Sequence, residues 1–309
     1  MSAFEEIGTF LQQQPVVRQW AELAEVIQTA VAARPKHWLL PFVACDAVGG
    51  VRGRALPGAA AIACLHTAIL LVDDMLDDDL QGLFRRYGAS VTCNLAGALQ
   101  SLGMEIIATS DFHAHVRVAA LAKLNHMYSM TALGQHWDTT RPITEEGYWK
   151  LIRAKSSPFF GAALCIGGLL GGGQEEITQR LWEIGVRYGE IIQINDDLDD
   201  AFAVPASPDW LDNHCSLPIL YADSVAHPER DHFRWLRSNV SDPANLSEAQ
   251  AILIRSGSVS YCIYHLNELI TQLDRMIDNA QLTNADVLHR LVAEVAAPVH
   301  SLLSAVGNA

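Results

Sequence analysis

Hydrophobic residues recur along most of this chain at helical spacing, and the β-branched runs that would mark a sheet are sparse. Residues 16–33 follow Pro15 and place Val17, Trp20, Leu23, Val26 and Ile27 on one face. Residues 39–48 form an apolar segment that stops at Gly49-Gly50. Residues 55–76 read as a long helix apolar on most sides, the pattern of an element in the middle of a bundle. Further helices are predicted over residues 91–109, 116–133 (ended by Gly134), 144 to a break near Pro158, and 175–200. Residues 203–214 carry Pro205 and Pro208 without an apolar period and read as a loop. Ser247-Glu248-Ala249-Gln250 resembles a capping box for a helix that stops before Gly257. Helices over 258–280 and 284–305 complete the chain. No linker, low-complexity tract or strong repeat interrupts the pattern, so the expectation is one all-α domain over residues 1–309.

Composition narrows the functional classes. The formal net charge is −14, with 21 Lys and Arg against 35 Asp and Glu. That argues against a nucleic-acid partner, which needs clustered cations, but not against an anionic substrate met through bound metal ions. Of the six cysteines none forms a CxxC pair, so buried, reduced thiols of a cytoplasmic protein are expected. The first residues include Glu5 and Glu6 and lack the basic segment of a signal peptide. No membrane span is expected: the most apolar stretch, residues 159–170, is broken by Gly161, Gly167 and Gly168.

Two acidic clusters change the picture most. Asp73, Asp74, Asp77, Asp78 and Asp79 follow directly on the apolar run that ends the 55–76 helix. Asp196, Asp197, Asp199 and Asp200 end the 175–200 helix in the same way. Asp73 and Asp77, like Asp196 and Asp200, are four residues apart and share a helix face. Carboxylates crowded at the negative end of a helix repel one another unless solvated or bridged by divalent cations. Two such clusters, each at the end of a buried helix, favour cations, with the rest of the chain holding the clusters face to face. All-oxygen donors suit Mg²⁺, which keeps several waters and pairs with substrate phosphate. A clamp of this kind above an apolar cavity suits departure of a diphosphate from an allylic carbon.

Here the chain resembles the trans-isoprenyl diphosphate synthase (polyprenyl synthetase) family, most strongly over residues 35–270. Asp73-Asp74-Met75-Leu76-Asp77 is similar to its first DDxxD motif, and Gln193 to Asp200 to its second, Q-x-x-D-D-x-x-D. Gly134-Gln135-His136-Trp137-Asp138 resembles its GQxxD segment, Lys155-Ser156 its Lys-Thr pair, and His66 falls where the family often has histidine. The resemblance implies a helical bundle of the isoprenoid-synthase type with a central apolar cavity. It implies three Mg²⁺ ions held by Asp73, Asp74, Asp77 and Asp196, with Asp197 and Asp200 acting directly or through water. Lys155 and Ser156 would meet the allylic diphosphate, Gln193 would steady substrate or carbocation, and a homodimer is expected.

Three basic elements of the family depart from the pattern. Residues 33–41 stand where a Gly-Lys-Arg-x-Arg-Pro segment is usual, leaving Arg34, Lys36 and His37 to supply charge. Leu80-Gln81-Gly82 stands in place of Arg-Arg-Gly, with Arg85 and Arg86 as displaced candidates for diphosphate binding. No lysine occurs in residues 201–214. Without these cations, binding of a second diphosphate would be weaker by roughly 1.5–3 kcal/mol for each missing charge-assisted hydrogen bond. The expectation is a Mg²⁺-dependent prenyltransferase that ionises an allylic isoprenyl diphosphate of C10–C20 and passes the prenyl group to a non-standard acceptor. Terpene cyclisation on the same fold, ordinary chain elongation with unorthodox isopentenyl diphosphate contacts, and a non-catalytic partner subunit are the alternatives. Small Ala68, five residues before Asp73, would leave room for a C15–C20 chain, or reflect helix packing alone.

Overall fold

The computed structural model describes residues 2–140, 144–211 and 216–307, and among these every regular element is a helix, as the sequence predicts. The chain divides into two compact units.

The first unit comprises Met1–Ser129, Phe159–Gly185 and Ala280–Leu288. Its centre is the Leu56–Leu76 helix, entered through a 3₁₀ turn at Arg52–Ala55 and packed along the Ala89–Ala108 helix. Ala59, Ala60, Ala61 and Ala63 line its buried side, and small residues let the two backbones approach. A Cβ on Gly103 would stand 3.1 Å from the Ala61 carbonyl, so the partner helix uses glycine at the crossing. Both helices are long and apolar enough to cross a membrane by length and composition, although polar residues interrupt each apolar run. In the first of them two thirds of the qualifying window is buried within the protein.

The second unit comprises Met130–Pro158, Val186–Asn279 and His289–Ala309. Trp210, Phe233, Leu236, Ile219, Ile252 and Leu253 form one of its cores. The Trp210 indole N–H, buried with the ring, donates to the Ala201 carbonyl at 3.0 Å and ties down the end of the Glu175–Ala201 helix.

Several sequence expectations are corrected. The 16–33 segment is two helices, Pro15–Gln19 and Ala21–Ala32, because Trp20 adopts an extended backbone (φ −131°, ψ 101°) between them. Gly134 does not end a helix: Ala114–Thr140 runs through it. The capping box at Ser247 is internal to Pro243–Arg255, whose N-cap is Asp242, accepting from the Ala244 amide at 2.8 Å. Helices Ala3–Gln12, Leu217–Ser224 and Arg230–Arg237 lie outside the stretches predicted as helical, and the 203–214 loop holds a turn of helix at Pro208–Leu211. Four cysteines are buried as expected, but Cys93 is exposed, and Cys215 lies outside the described residues.

Candidate functional site

In the first unit the acidic cluster forms at the C-terminal end of Leu56–Leu76. The helix closes with the Asp77 amide donating to the Asp73 carbonyl (2.9 Å), and the Asp79 amide donates to that of Asp74 (2.9 Å). Asp73 and Asp74 are partly buried, while Asp77, Asp78 and Asp79 are exposed. Burial first, and then the charges of Asp79, Asp73 and Asp77, push the Asp74 carboxyl up to about 6. Asp78 takes a left-handed backbone (φ 53°), a conformation that Asp tolerates better than most residues. The guanidinium of Arg85 fastens that turn, meeting Asp78 Oδ1 at 2.6 Å and donating to the Asp78 carbonyl at 2.7 Å.

Arg86 does not join Arg85. Its guanidinium pairs with Glu25 at 2.7 Å, and the same carboxylate accepts from the Tyr87 hydroxyl at 2.8 Å. The two arginines expected to act together on a diphosphate are therefore separately engaged, one with the acidic turn and one with the Ala21–Ala32 helix.

His37 and His66 are also in this unit. Their Nε2 atoms are 3.0 Å apart, and the Trp38 indole N–H donates to His66 Nδ1 at 3.2 Å. Burial pushes His37 down to about 4; burial and then the neighbouring His37 push His66 down to about 3. His37 thus supplies no charge near neutral pH, contrary to the sequence reading. His66 is an anchored imidazole that remains partly accessible. Ala68 is fully buried in the same helix.

In the second unit Asp196 and Asp200 occupy the end of Glu175–Ala201. Both side chains reach solvent, yet the surrounding protein partly desolvates them: that desolvation, followed by the charges of Asp200 and Asp199, pushes Asp196 up to about 6, and desolvation and Asp199 raise Asp200. Asp197 points differently. It is 3% exposed and accepts from Gln193 Nε2 at 2.9 Å and from the Leu217 amide at 2.8 Å, with the buried Tyr148 hydroxyl beside it. Burial outweighs these donors and lifts its carboxyl to about 7. Its Oδ1 accepts from Gln193 and its Oδ2 from the Leu217 amide, so Asp197 ties the helix end to two other segments.

Gln193 links this carboxylate to the helix break at Ser156: its Oε1 accepts from the Ser156 hydroxyl at 2.6 Å while its amide nitrogen serves Asp197. Lys155, one residue earlier, pairs with Asp138 at 2.6 Å, and both are largely buried. Gly134 explains how these segments meet. A Cβ there would lie 2.3 Å from the Lys155 nitrogen and 2.5 Å from its Cα, so only glycine lets the Ala114–Thr140 helix come this close. The expected break at Pro158 is real: Glu145–Lys155 ends at Ser156 and the next helix starts at Ser157. Sequence reasoning reached Asp138 only as part of a motif and missed Tyr148, the Leu217 amide and Trp38. Asp138 was legible as an acid at fixed spacing from Gly134; the others depend on tertiary contact.

Among the described residues no three His, Cys, Asp or Glu side chains converge into a ready-made metal cage. The donor sets nonetheless fit Mg²⁺, which binds through one or two carboxylates and keeps waters for the rest. Asp74 and Asp196 in particular sit partly desolvated among like charges, a strain that a divalent cation relieves.

Comparison with known proteins bears on the same segments. Residues 21–253, three quarters of the chain, match the family model for polyprenyl synthetase. The chain belongs to the polyprenyl synthetase family. A short chain isoprenyl diphosphate synthase from Methanothermobacter thermautotrophicus is 26% identical over 240 residues, covering 72% of this chain and 73% of that protein. The heterodimeric geranylgeranyl pyrophosphate synthase large subunit 2 of Arabidopsis thaliana is 27% identical over 217 residues, 65% of this chain. The match spans 58% of that plant protein's length. Among solved structures, geranylgeranyl pyrophosphate synthetase from Pyrococcus horikoshii superposes with a TM-score of 0.81 at 22% identity, covering 95% of this chain and 94% of that one. Decaprenyl diphosphate synthase from Rhodobacter capsulatus gives 0.80 at 21%, covering 96% and 95%. At these identities the structural likeness speaks for the all-α fold.

Proposed function

We propose that this polyprenyl synthetase is a Mg²⁺-dependent prenyltransferase that ionises an allylic isoprenyl diphosphate of C10–C20 and transfers the prenyl group to an acceptor other than isopentenyl diphosphate. The observation that carries the reading is the pair of acidic helix ends, each crowding carboxylates around one, Asp74 or Asp196, that partial desolvation and like charges push up to about 6. Asp73, Asp74 and Asp77, together with Asp196 and Asp200, would hold three Mg²⁺ ions. Bound Mg²⁺ neutralises the leaving diphosphate. Lys155, oriented by Asp138, adds a fixed positive charge for the diphosphate, and Ser156 and Gln193 fix the helix break that presents it. Asp197 holds Gln193 and the Leu217 amide in register. In the reaction the allylic carbon–oxygen bond breaks and diphosphate leaves with the electron pair. The acceptor then forms the new bond to carbon, and the proton it loses passes to the released diphosphate. The chain is treated as one working domain, cytoplasmic and homodimeric, under the same reading.

The non-standard acceptor is supported by the fate of the basic candidates: Arg86 is held by Glu25, and His37 is neutral. Geranyl, farnesyl and geranylgeranyl diphosphate, each incubated with Mg²⁺ with and without isopentenyl diphosphate, test the reading. Slow diphosphate release to a prenyl alcohol, with water standing in for the missing acceptor, and no chain extension are expected. Longer diphosphates would restore ordinary elongation, a hydrocarbon formed from the allylic substrate alone would favour cyclisation, and inertness with every substrate would favour an acceptor absent from the mixture or a non-catalytic subunit.

A further inference from the structure

Seven residues advance a helix by nearly two full turns and about 10.5 Å along its axis. His66 therefore lies on the same face of Leu56–Leu76 as Asp73, two turns below the acidic end. Its hydrogen bonds fix more than its orientation. An indole nitrogen can only donate, so His66 Nδ1, 3.2 Å from Trp38 Nε1, is an acceptor and the ring's proton is on Nε2. That proton is donated across 3.0 Å to His37 Nε2, which leaves the proton of His37 on Nδ1. One buried indole thus sets the tautomers of both imidazoles. The rings are enclosed by aromatic neighbours: Phe159 is 5.3 Å from each, centroid to centroid, and Phe160 is 6.1 Å from His37. Trp38 is 1% exposed, whereas His37 and His66 remain partly accessible, and His37 Nδ1 has no protein acceptor among the described residues. A diphosphate brought into such surroundings needs a cation to offset its desolvation; a neutral oxygen or nitrogen needs only a donor.

We propose that the Trp38–His66–His37 chain is a specificity element that offers one fixed, uncharged donor, His37 Nδ1–H, to the second substrate and so selects an acceptor bearing a neutral oxygen or nitrogen over a second diphosphate. The inference rests on the prenyl-transfer reading for the existence of a second substrate, but its test needs no turnover. The full-length chain, labelled with ¹⁵N-histidine and free of metal, is titrated at neutral pH with isopentenyl diphosphate and, in parallel, with 3-methyl-3-buten-1-ol, its uncharged counterpart. The expected ring ¹⁵N pattern is His66 protonated on Nε2 and His37 on Nδ1. The alcohol moves the His37 Nδ1 resonance; isopentenyl diphosphate leaves both rings unchanged. His37→Arg is expected to tighten metal-free isopentenyl diphosphate binding by about tenfold, the equivalent of about 1.4 kcal/mol. Conversion of either ring to imidazolium by isopentenyl diphosphate, silence of His37 toward the alcohol, or unimproved binding in a folded His37→Arg protein overturns the proposal. The wild-type spectra decide it alone if that variant does not fold. Failure of farnesyl diphosphate to release diphosphate with Mg²⁺, assayed separately, would count against the prenyl-transfer reading and leave these readouts intact.

Discussion

Asp196 is a carboxyl that the folded chain protonates more readily than the unfolded chain does. Its folded value is about 6, raised by partial desolvation and by Asp200 and Asp199, against about 4 for a carboxylate in the unfolded chain. Between these values the folded state binds the extra proton, so this group lowers stability above about pH 6 and the deficit is relieved as pH falls toward 4. Metal-free Asp196→Asn is therefore expected to unfold at higher denaturant than wild type at pH 7.5, with the gap closing near pH 4. Added Mg²⁺ should stabilise wild type at pH 7.5, less as pH falls through 6, and should stabilise the variant, which keeps Asp73, Asp74 and Asp77, by a smaller amount. Denaturant melts at the two pH values check both signs. Asp197 behaves differently although it sits next in sequence. Its oxygens serve Gln193 and Leu217, and Asp197→Ala should lose about 1–3 kcal/mol for each buried donor left unsatisfied, measured as a shift in unfolding midpoint. The motif made these adjacent aspartates look equivalent. Their separate fates are set by the Leu217 amide and Tyr148, which lie 20 and 49 residues away in sequence and carry no local signal.

Among the elements, apolar periodicity located the two helices that carry the acidic ends to within a residue or so, because long buried helices write their burial into every turn. Glycine was the weaker guide. At Gly134 the sequence suggested a stop, whereas the structure uses the missing Cβ for contact with the Lys155 backbone. Gly134→Ala is expected to cost about 1–3 kcal/mol through overpacking and to lower activity by moving Lys155, read from denaturant unfolding alongside product formation. Ser247 misleads for a related reason: a capping-box pattern is local, but the helix begins four residues earlier, where Asp242 and Pro243 supply a stronger start. Trp20 gave no breaker signal at all, and only its extended backbone separates the two helices around it.

At the scale of the whole chain, family membership was legible from four short motifs in order, and the all-α fold from helical spacing of apolar residues along most of the sequence. The departures needed structure. Arg85 and Arg86 looked like one displaced basic pair, yet one fastens the Asp78 turn and the other holds Glu25. His37 looked like a source of charge, yet Trp38 and His66 make it part of a neutral chain. The functional reading stands or falls on both acidic helix ends serving one ionisation step. Diphosphate release from farnesyl diphosphate with Mg²⁺ tests this, measured for wild type, Asp73→Ala and Asp196→Ala, with circular dichroism confirming the helical fold of each. Release by wild type, and a loss of about a thousandfold or more in each variant, is the predicted result. Undiminished release in both folded variants would contradict it.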